Sequence, residues 1–420
     1  MLTRSLSILA LCCAALTTLA PAHAEPVAAT DFYNPPSPLP TGNPGDVIRA
    51  EPAEVAVPFP ARATRVLYRS IDPAGAAVAV SGIVFDPVAA WSGPGERPLV
   101  SFSAGTQGQG DQCAPSRLFG QLVHYTPPLD LMAEYEITAV GELLARGAAV
   151  VVTDYQGLGT PGTHTFLNAE AEAHAVIDAA RAAQRLPGTG IPAAGPVLFW
   201  GFSQGGHAAG AAAERVGTYA PELDLRASYV GAVPGDLMEF GSYADGTALS
   251  GAFGYLLNSM RTVYPDTIPV LDAALNGHGR AVLADTAGQC AGETVLRYAF
   301  QHTSSWTADG RPLFPDVIAS DPRTLRALDD QRLGNRRPTA PVLLLTGPAD
   351  DIVPASGVRA LAERWCAQGT PVQLLTLDHI PTLLPGTILG HGLDSVAFQL
   401  ENALPWLDDR LADRPAPSTC

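Results

Sequence analysis

The stretch PVLFWGFSQGGHAAGAAAERV, residues 196–216, restricts the fold of this chain more than any other. An apolar run ends at Phe202, a serine follows, and glycines then open a run of alanines and long polar residues that favour helix. That order reads as strand, sharp turn, helix, with Ser203 at the apex. Glycines at 201, 205 and 206 leave room for strand and helix to cross closely. With 41 glycines in 420 residues, a G-x-S-x-G pentapeptide arises by chance with a probability of roughly one in five. The flanking pattern therefore has to carry the reading: in such an elbow a strained backbone lifts the serine hydroxyl out of the turn as a nucleophile.

Other short apolar runs occupy residues 64–70, 76–87, 98–105, 148–157, 195–203, 226–235, 340–350 and 371–378. The earliest alternate, as strands with one wet face do, and the middle ones are almost continuously apolar, as strands buried on both faces are. Helix-like segments such as AEAEAHAVIDAARAAQRL and VRALAERWCAQG lie between them. The alternation predicts an α/β fold, a mostly parallel sheet covered by helices on both faces. Residues 236–338 break the rhythm with amphipathic stretches, ALSGAFGYLLNSM and ETVLRYAFQH among them, and no convincing strand. They are expected to form a helical cap above the carboxyl ends of the strands, the alternative being a buried structural subdomain. One α/β core is thereby drawn from residues 25–235 and 339–420. The lead-in FYNPPSPLPTGNPGD is expected to be an extended arm packed on the body.

The first 24 residues, with Arg4, an apolar run from Leu6 to Leu19 and Ala22-His23-Ala24, read as a secretory signal peptide cut after Ala24. A lipoprotein reading needs a small residue before Cys12 or Cys13, where Leu11 and Cys12 stand. No later apolar run is long enough to span a bilayer, so no stable membrane insertion is expected. Cys113, Cys290, Cys366 and Cys420 remain beyond the leader, an even number that reads as two disulfides with three possible pairings. The formal net charge of −16 disfavours nucleic acid and anionic membranes as partners. All 25 cationic residues are arginines; without lysine there is no Walker-A lysine, pyridoxal phosphate Schiff base or Ser-Lys dyad. Neither Cys-x-x-Cys nor His-x-x-x-His spacing occurs, and neither a metal nor an organic cofactor is expected.

A serine hydroxyl becomes a nucleophile when a histidine takes its proton and a carboxylate orients that histidine. The acid is expected after a late strand, in PVLLLTGPADDIVPASG: Asp350 aimed back at the site and Asp351 out to solvent. Of nine histidines only His379 and His391 follow it, the first just after the strand PVQLLTL and the second just ahead of the final helix. Residue patterning leaves both open. The developing oxyanion needs two backbone N–H donors, expected from Gln204 and from Gly105 or Thr106 in the loop AGTQGQGDQCAPS. Tyr155, Gly157 and Gly159 in TDYQGLGT lie on a strand end nearby, with a role in either the turn or substrate contact.

The stretches GTQGQGDQCAPS, TDYQGLGTPGTHTFLN, GFSQGGHAAGAAAE, YAPELDLRASYVGAVPGDL, GPADDIVP and WLDDRLADRPAPSTC together resemble the secretory lipase family of α/β-hydrolases, the lipase A type, across nearly the whole chain beyond the leader. The resemblance implies a triad of Ser203, Asp350 as the first aspartate of an Asp-x-x-Val-Pro turn, and a histidine that follows a glycine ahead of the last helix. Gly390-His391, fifteen residues before Trp406, fits that pattern better than His379. The family also implies disulfides Cys113–Cys290 and Cys366–Cys420. Two departures stand out: Ala104-Gly105-Thr106 where relatives have His-Gly-Thr, and a longer stretch between His379 and His391. The implied activity is that of a secreted hydrolase of carboxylic esters, small-molecule or lipid, acylglycerols included. A short-chain or polyester esterase, an acyltransferase and an inactive binding protein on the same fold are the alternatives.

Overall fold

The computed structural model describes residues 31–420 and gives only the backbone course of residues 394–400; the expected leader, residues 1–24, lies outside the described residues. Its strands are β1 (Val47–Pro52), β2 (Ala61–Ile71), β3 (Ala77–Pro87), β4 (Leu99–Ser103), β5 (Val123–Thr126), β6 (Asp130–Ala133), β7 (Ala149–Thr153), β8 (Val197–Phe202), β9 (Leu225–Gly231), β10 (Val342–Thr346) and β11 (Val372–Thr376). Nine of them form one sheet in the order β1-β2-β3-β7-β4-β8-β9-β10-β11, while β5 and β6 make a separate hairpin. The pairs from β1 to β7 are antiparallel, and from β7 through β11 all neighbours run parallel.

The central strands are apolar without a break because both faces are covered. In β8, Val197 and Phe199 enter the cluster beneath helices Ala169–Arg185 and Gln204–Tyr219. Leu198 and Trp200 enter the opposite cluster, beneath helices Ile137–Ala145 and Leu404–Leu411. Each large side chain buried this way stabilises the fold by roughly 1.5–3 kcal/mol. Helix Gln204–Tyr219 lies so close to the sheet that a Cβ on Gly201 would stand 1.9 Å from the Gly205 carbonyl oxygen, and one on Gly205 2.0 Å from that of Ser103. Those glycines are steric requirements of the elbow.

Between β9 and β10 every regular element is a helix, including Leu237–Ala244, Phe253–Val263 and Ala291–Tyr298. Their apolar residues, Phe240, Phe253 and Trp306 for example, join the same buried cluster as Phe199 and Ala175, so Phe32–Cys420 make one compact unit. The disulfides join Cys113 to Cys290, tying the segment after β4 to this helical interval, and Cys366 to Cys420, tying helix Ala355–Ala367 to the C-terminus. Both pairings are those the family resemblance implies. No helix among the described residues is long and apolar enough to cross a membrane.

Two elements were not legible as strands. β1 carries Arg49, Glu51 and Pro52, which an edge strand tolerates because one side of it needs no partner. The hairpin β5–β6 stands off the main sheet on two four-residue strands joined through Pro127-Pro128, too short to show an apolar run. The arm ahead of β1 packs by Phe32 and Tyr33, both buried; the Tyr33 hydroxyl lies 3.0 Å from Ser116 Oγ, and the Arg117 guanidinium covers the tyrosine ring.

Candidate active site

Ser203 has φ 61° and ψ −122°, a left-handed backbone that a side chain rarely adopts. Strain of this kind costs on the order of 1–3 kcal/mol and persists only where its surroundings impose it. Here the Ser203 N–H donates to the Gly231 oxygen at 3.0 Å, and the His207 N–H donates to the Ser203 oxygen at 3.0 Å. Ser203 is half-buried between the buried Phe202 and Gln204.

Asp350 follows β10 in a tight turn. Its Oδ1 accepts from the N–H groups of Ile352 (2.9 Å) and Val353 (2.8 Å), and its Oδ2 lies 2.9 Å from His391 Nδ1. A carboxylate in that position takes the Nδ1 proton as its donor and leaves Nε2 as the basic nitrogen. His391 is 6% exposed, and its ring packs at 4.8 Å from that of Phe202, the residue before Ser203. His379 lies on an exposed turn after β11.

Asp351 corrects an expectation. It is buried rather than turned to solvent: Oδ2 accepts from the Ile388 N–H at 2.9 Å and Oδ1 from the His391 N–H at 3.1 Å. One aspartate thus holds the imidazole and its neighbour holds the backbone that carries it. Gly390 is required for the same approach, since a Cβ there would stand 1.8 Å from the Ala349 oxygen.

Gln204 is the first residue of its helix, where backbone N–H groups have no intrahelical acceptor. For the second donor, Gly105 does not fit: its N–H is already given to Glu136 Oε1 at 2.8 Å. Thr106, half-buried in the same loop, has no protein acceptor for its N–H among the described residues. Tyr155 belongs to the scaffold, its hydroxyl donating to the Ala104 oxygen at 2.6 Å.

Behind the elbow lies a buried polar network that sequence reasoning missed. Glu172 Oε1 accepts from Gln204 Nε2 and from the Leu167 N–H, both at 2.9 Å, and Oε2 lies 2.8 Å from His207 Nδ1. Gln204 Nε2 also reaches His164 Nε2 at 2.9 Å. Burial lowers the His164 pKa to about 4, so the ring is neutral: Nδ1–H faces the Gln156 oxygen and Nε2 accepts. The network fixes the side chain of Gln204, the residue that follows Ser203. His207 Nε2 also lies 3.1 Å from the Gln331 oxygen, so the members are spread from 164 to 331, with Glu172, Gln204 and His207 on helices and His164 and Gln331 in the connections, and no local pattern marks them.

Elsewhere, His124 Nε2 lies 2.8 Å from Asp130 Oδ2 beside Cys290, but that sulfur is bonded to Cys113, which leaves the pair without a third ligand among the described residues. A cleft of about 500 Å³ beside the Asp350 turn is lined by Glu239, Tyr243, Pro348, Asp350, Pro354 and Arg359, a mixture of charged and apolar side chains.

The secretory lipase family profile matches residues 126–419. The chain is 29% identical over 399 residues to a probable inactive lipase of Mycobacterium tuberculosis, covering 91% of this chain and 82% of that one. It is 26% identical over 411 residues to lipase 10 of Candida albicans, covering 94% and 83%. Among solved structures, Candida antarctica lipase A in its closed state superposes with a TM-score of 0.76 at 20% identity, covering 93% of this chain and 88% of that one. That likeness establishes the α/β-hydrolase fold. With a family match over most of its length, this chain belongs to the secretory lipases.

Proposed function

We propose that the chain is an exported serine hydrolase of carboxylic esters that works through an acyl-enzyme on Ser203. The observation that carries this reading is the 2.9 Å contact between Asp350 Oδ2 and His391 Nδ1, with the imidazole packed against the residue preceding a strained Ser203. His391 Nε2 takes the hydroxyl proton as Ser203 Oγ attacks the ester carbonyl carbon. The tetrahedral oxyanion is received by the N–H groups of Gln204 and Thr106, each such donor supplying about 3–4 kcal/mol. The imidazolium then passes its proton to the departing alkoxide. Water, deprotonated by the same nitrogen, attacks the acyl-enzyme, and collapse of the second oxyanion releases the acid and regenerates Ser203.

Esters with apolar acyl groups, acylglycerols among them, are the substrates this reading favours. Support comes from where large apolar side chains meet solvent: Leu383, Leu384, Leu389 and Leu393 on the segment bearing His391, and Leu296 and Phe300 on the helical interval. At a formal net charge of −16, contact with lipid would be apolar rather than electrostatic. The role of cap for the helical interval is supported by its bonds to three loops of the site: the Ala291 N–H to the Gln107 oxygen, Tyr243 Oη to the Asp350 oxygen, and the Ala248 N–H to the Gly386 oxygen. Export is supported by the two disulfides and the family.

A fluorophosphonate probe tests the reading. It should label the wild-type chain and not Ser203→Ala. Absence of labelling in the wild type would instead favour an inactive binding protein on the same fold, and the Mycobacterium tuberculosis relative is itself described as a probable inactive lipase. Rates on p-nitrophenyl esters from acetyl to palmitoyl fix the acyl preference, and a maximum at acetyl would remove the long-chain assignment.

A further inference from the structure

We propose that Glu136, assisted by Tyr135, is a positioning residue that locks the loop Ala104–Gln107 so that the Thr106 N–H faces the reacting carbonyl. The inference rests on the ester-hydrolase reading and deepens it at the oxyanion site.

Glu136 immediately precedes helix Ile137–Ala145, where an acidic side chain would ordinarily turn inward and cap the first free N–H groups. It makes no such cap. Its carboxyl, 4% exposed as part of the whole residue, crosses to the loop after β4 and accepts the Gly105 N–H at 2.8 Å. The adjacent Tyr135 hydroxyl donates to the Thr106 oxygen at 3.1 Å. One residue earlier, the Tyr155 hydroxyl holds the Ala104 oxygen at 2.6 Å.

The Thr106 N–H belongs to the peptide between Gly105 and Thr106, and these bonds grip the groups on either side of that peptide. Glycine, without a Cβ, would otherwise let the peptide rotate and turn a carbonyl toward the developing negative charge. The contact is tight: a Cβ on Gly105 would stand 2.5 Å from Tyr135 Oη. Helix capping was available to this carboxyl, and its use on a distant loop donor is what the helix itself does not require.

The surroundings of Glu136 are costly, which fits a functional rather than a merely stabilising role. Burial pushes its carboxyl up to about 7, against the pull of the Gly105 N–H. Glu134, 2% exposed, is also pushed well up by burial and by Glu136; its Oε1 accepts the Glu136 N–H at 3.0 Å, and its Oε2 has no partner. Two buried acids two positions apart oppose folding, and apolar residues would pack there at lower cost.

The experiment is steady-state hydrolysis of p-nitrophenyl butyrate by the full chain, with thermal unfolding alongside. Glu136→Ala should lower kcat about tenfold or more, with KM within about twofold, because a donor moved by even a fraction of an ångström loses transition-state stabilisation. Glu136→Gln, which keeps an oxygen acceptor of the same reach, should return kcat to within about threefold of wild type. A kcat unchanged in Glu136→Ala overturns the proposal, as does a Glu136→Gln as impaired as Glu136→Ala, since the acceptor would then not be what matters. If Glu136→Ala does not fold, Tyr135→Phe decides, because it removes one hydroxyl from a half-exposed ring: a kcat at least about threefold lower at constant KM supports the lock, and an unchanged kcat overturns it. A wild-type chain without turnover defeats the ester-hydrolase reading and the lock with it, whereas an active wild type beside an unaffected variant defeats the lock alone.

Discussion

The turn that carries Ser203 is shaped by residues within a few positions of it, whereas the segment that carries His391 is held by residues about forty positions away. Gly201 and Gly205 make the elbow sterically possible, and the His207 N–H closes its first helical turn on the Ser203 oxygen. On the other side of the site, Asp350 and Asp351 fix the imidazole and its backbone from the turn after β10, at sequence separations of 41 and 40. A locally encoded serine turn can be read from a pentapeptide and its flanks. A histidine held by tertiary contacts cannot, because its position depends on which aspartate faces which way after folding.

Substitutions can break this contrast, beginning with the largest effect. Ser203→Ala and His391→Ala should each lower kcat by about 10⁶-fold, while the exposed His379→Ala should leave it within about twofold. A large loss in His379→Ala with activity retained in His391→Ala would reverse the assignment of the base. Asp350→Asn should cost about 10⁴-fold, since the amide favours the wrong imidazole tautomer; both effects are read as kcat on one ester. Asp351→Ala sharpens the comparison further. It leaves the triad atoms intact but strips the acceptor from the Ile388 and His391 N–H groups, so kcat should fall about 10²-fold and the melting temperature with it.

Behind the elbow, His164 gives the locally encoded side its own pH signature. Its folded pKa, lowered to about 4, lies below the ordinary 6.5, so the unfolded chain takes up the proton first. Its contribution to stability is complete above about pH 6.5 and is lost as pH falls toward 4, by on the order of 3 kcal/mol. Melting temperatures at pH 7 and pH 4.5 should therefore differ less in His164→Asn than in the wild type; an equal difference would remove His164 as a source of acid lability. The smallest effect belongs to the surface. Leu384, 68% exposed on the base segment, contributes to neither carboxylate contact. Leu384→Ser should reduce palmitoyl ester hydrolysis about two- to threefold and leave acetyl ester hydrolysis unchanged, as expected for one partly buried apolar contact.

Much of the sheet was legible because burial on both faces writes itself into β8 and β10 as unbroken apolar runs. β1 and the hairpin β5–β6 were not, since an edge strand and an isolated hairpin need no such run. The same logic governs the site. Ser203 is announced by glycines whose missing side chains the crossing demands. Glu136, Glu172 and Asp351 are acidic residues of the kind that normally face water, and a sequence marks neither their burial nor partners 31 to 40 positions away. The expectation that Asp351 faces solvent failed for that reason, and so did Gly105 as an oxyanion donor.

By itself the sequence determined the alternation of strand and helix, the strained strand-turn-helix at Ser203 and the aspartate turn after a late strand, because hydrophobic period, glycine sterics and turn chemistry act over a few residues. Only the tertiary structure decided which histidine rests on Asp350, that Asp351 holds the backbone of His391, and that the Gly105 N–H is given to Glu136. Those outcomes turn on buried carboxylates choosing among donors that only folding brings within 3 Å, and a polar group buried without such a partner costs too much for the choice to stay open.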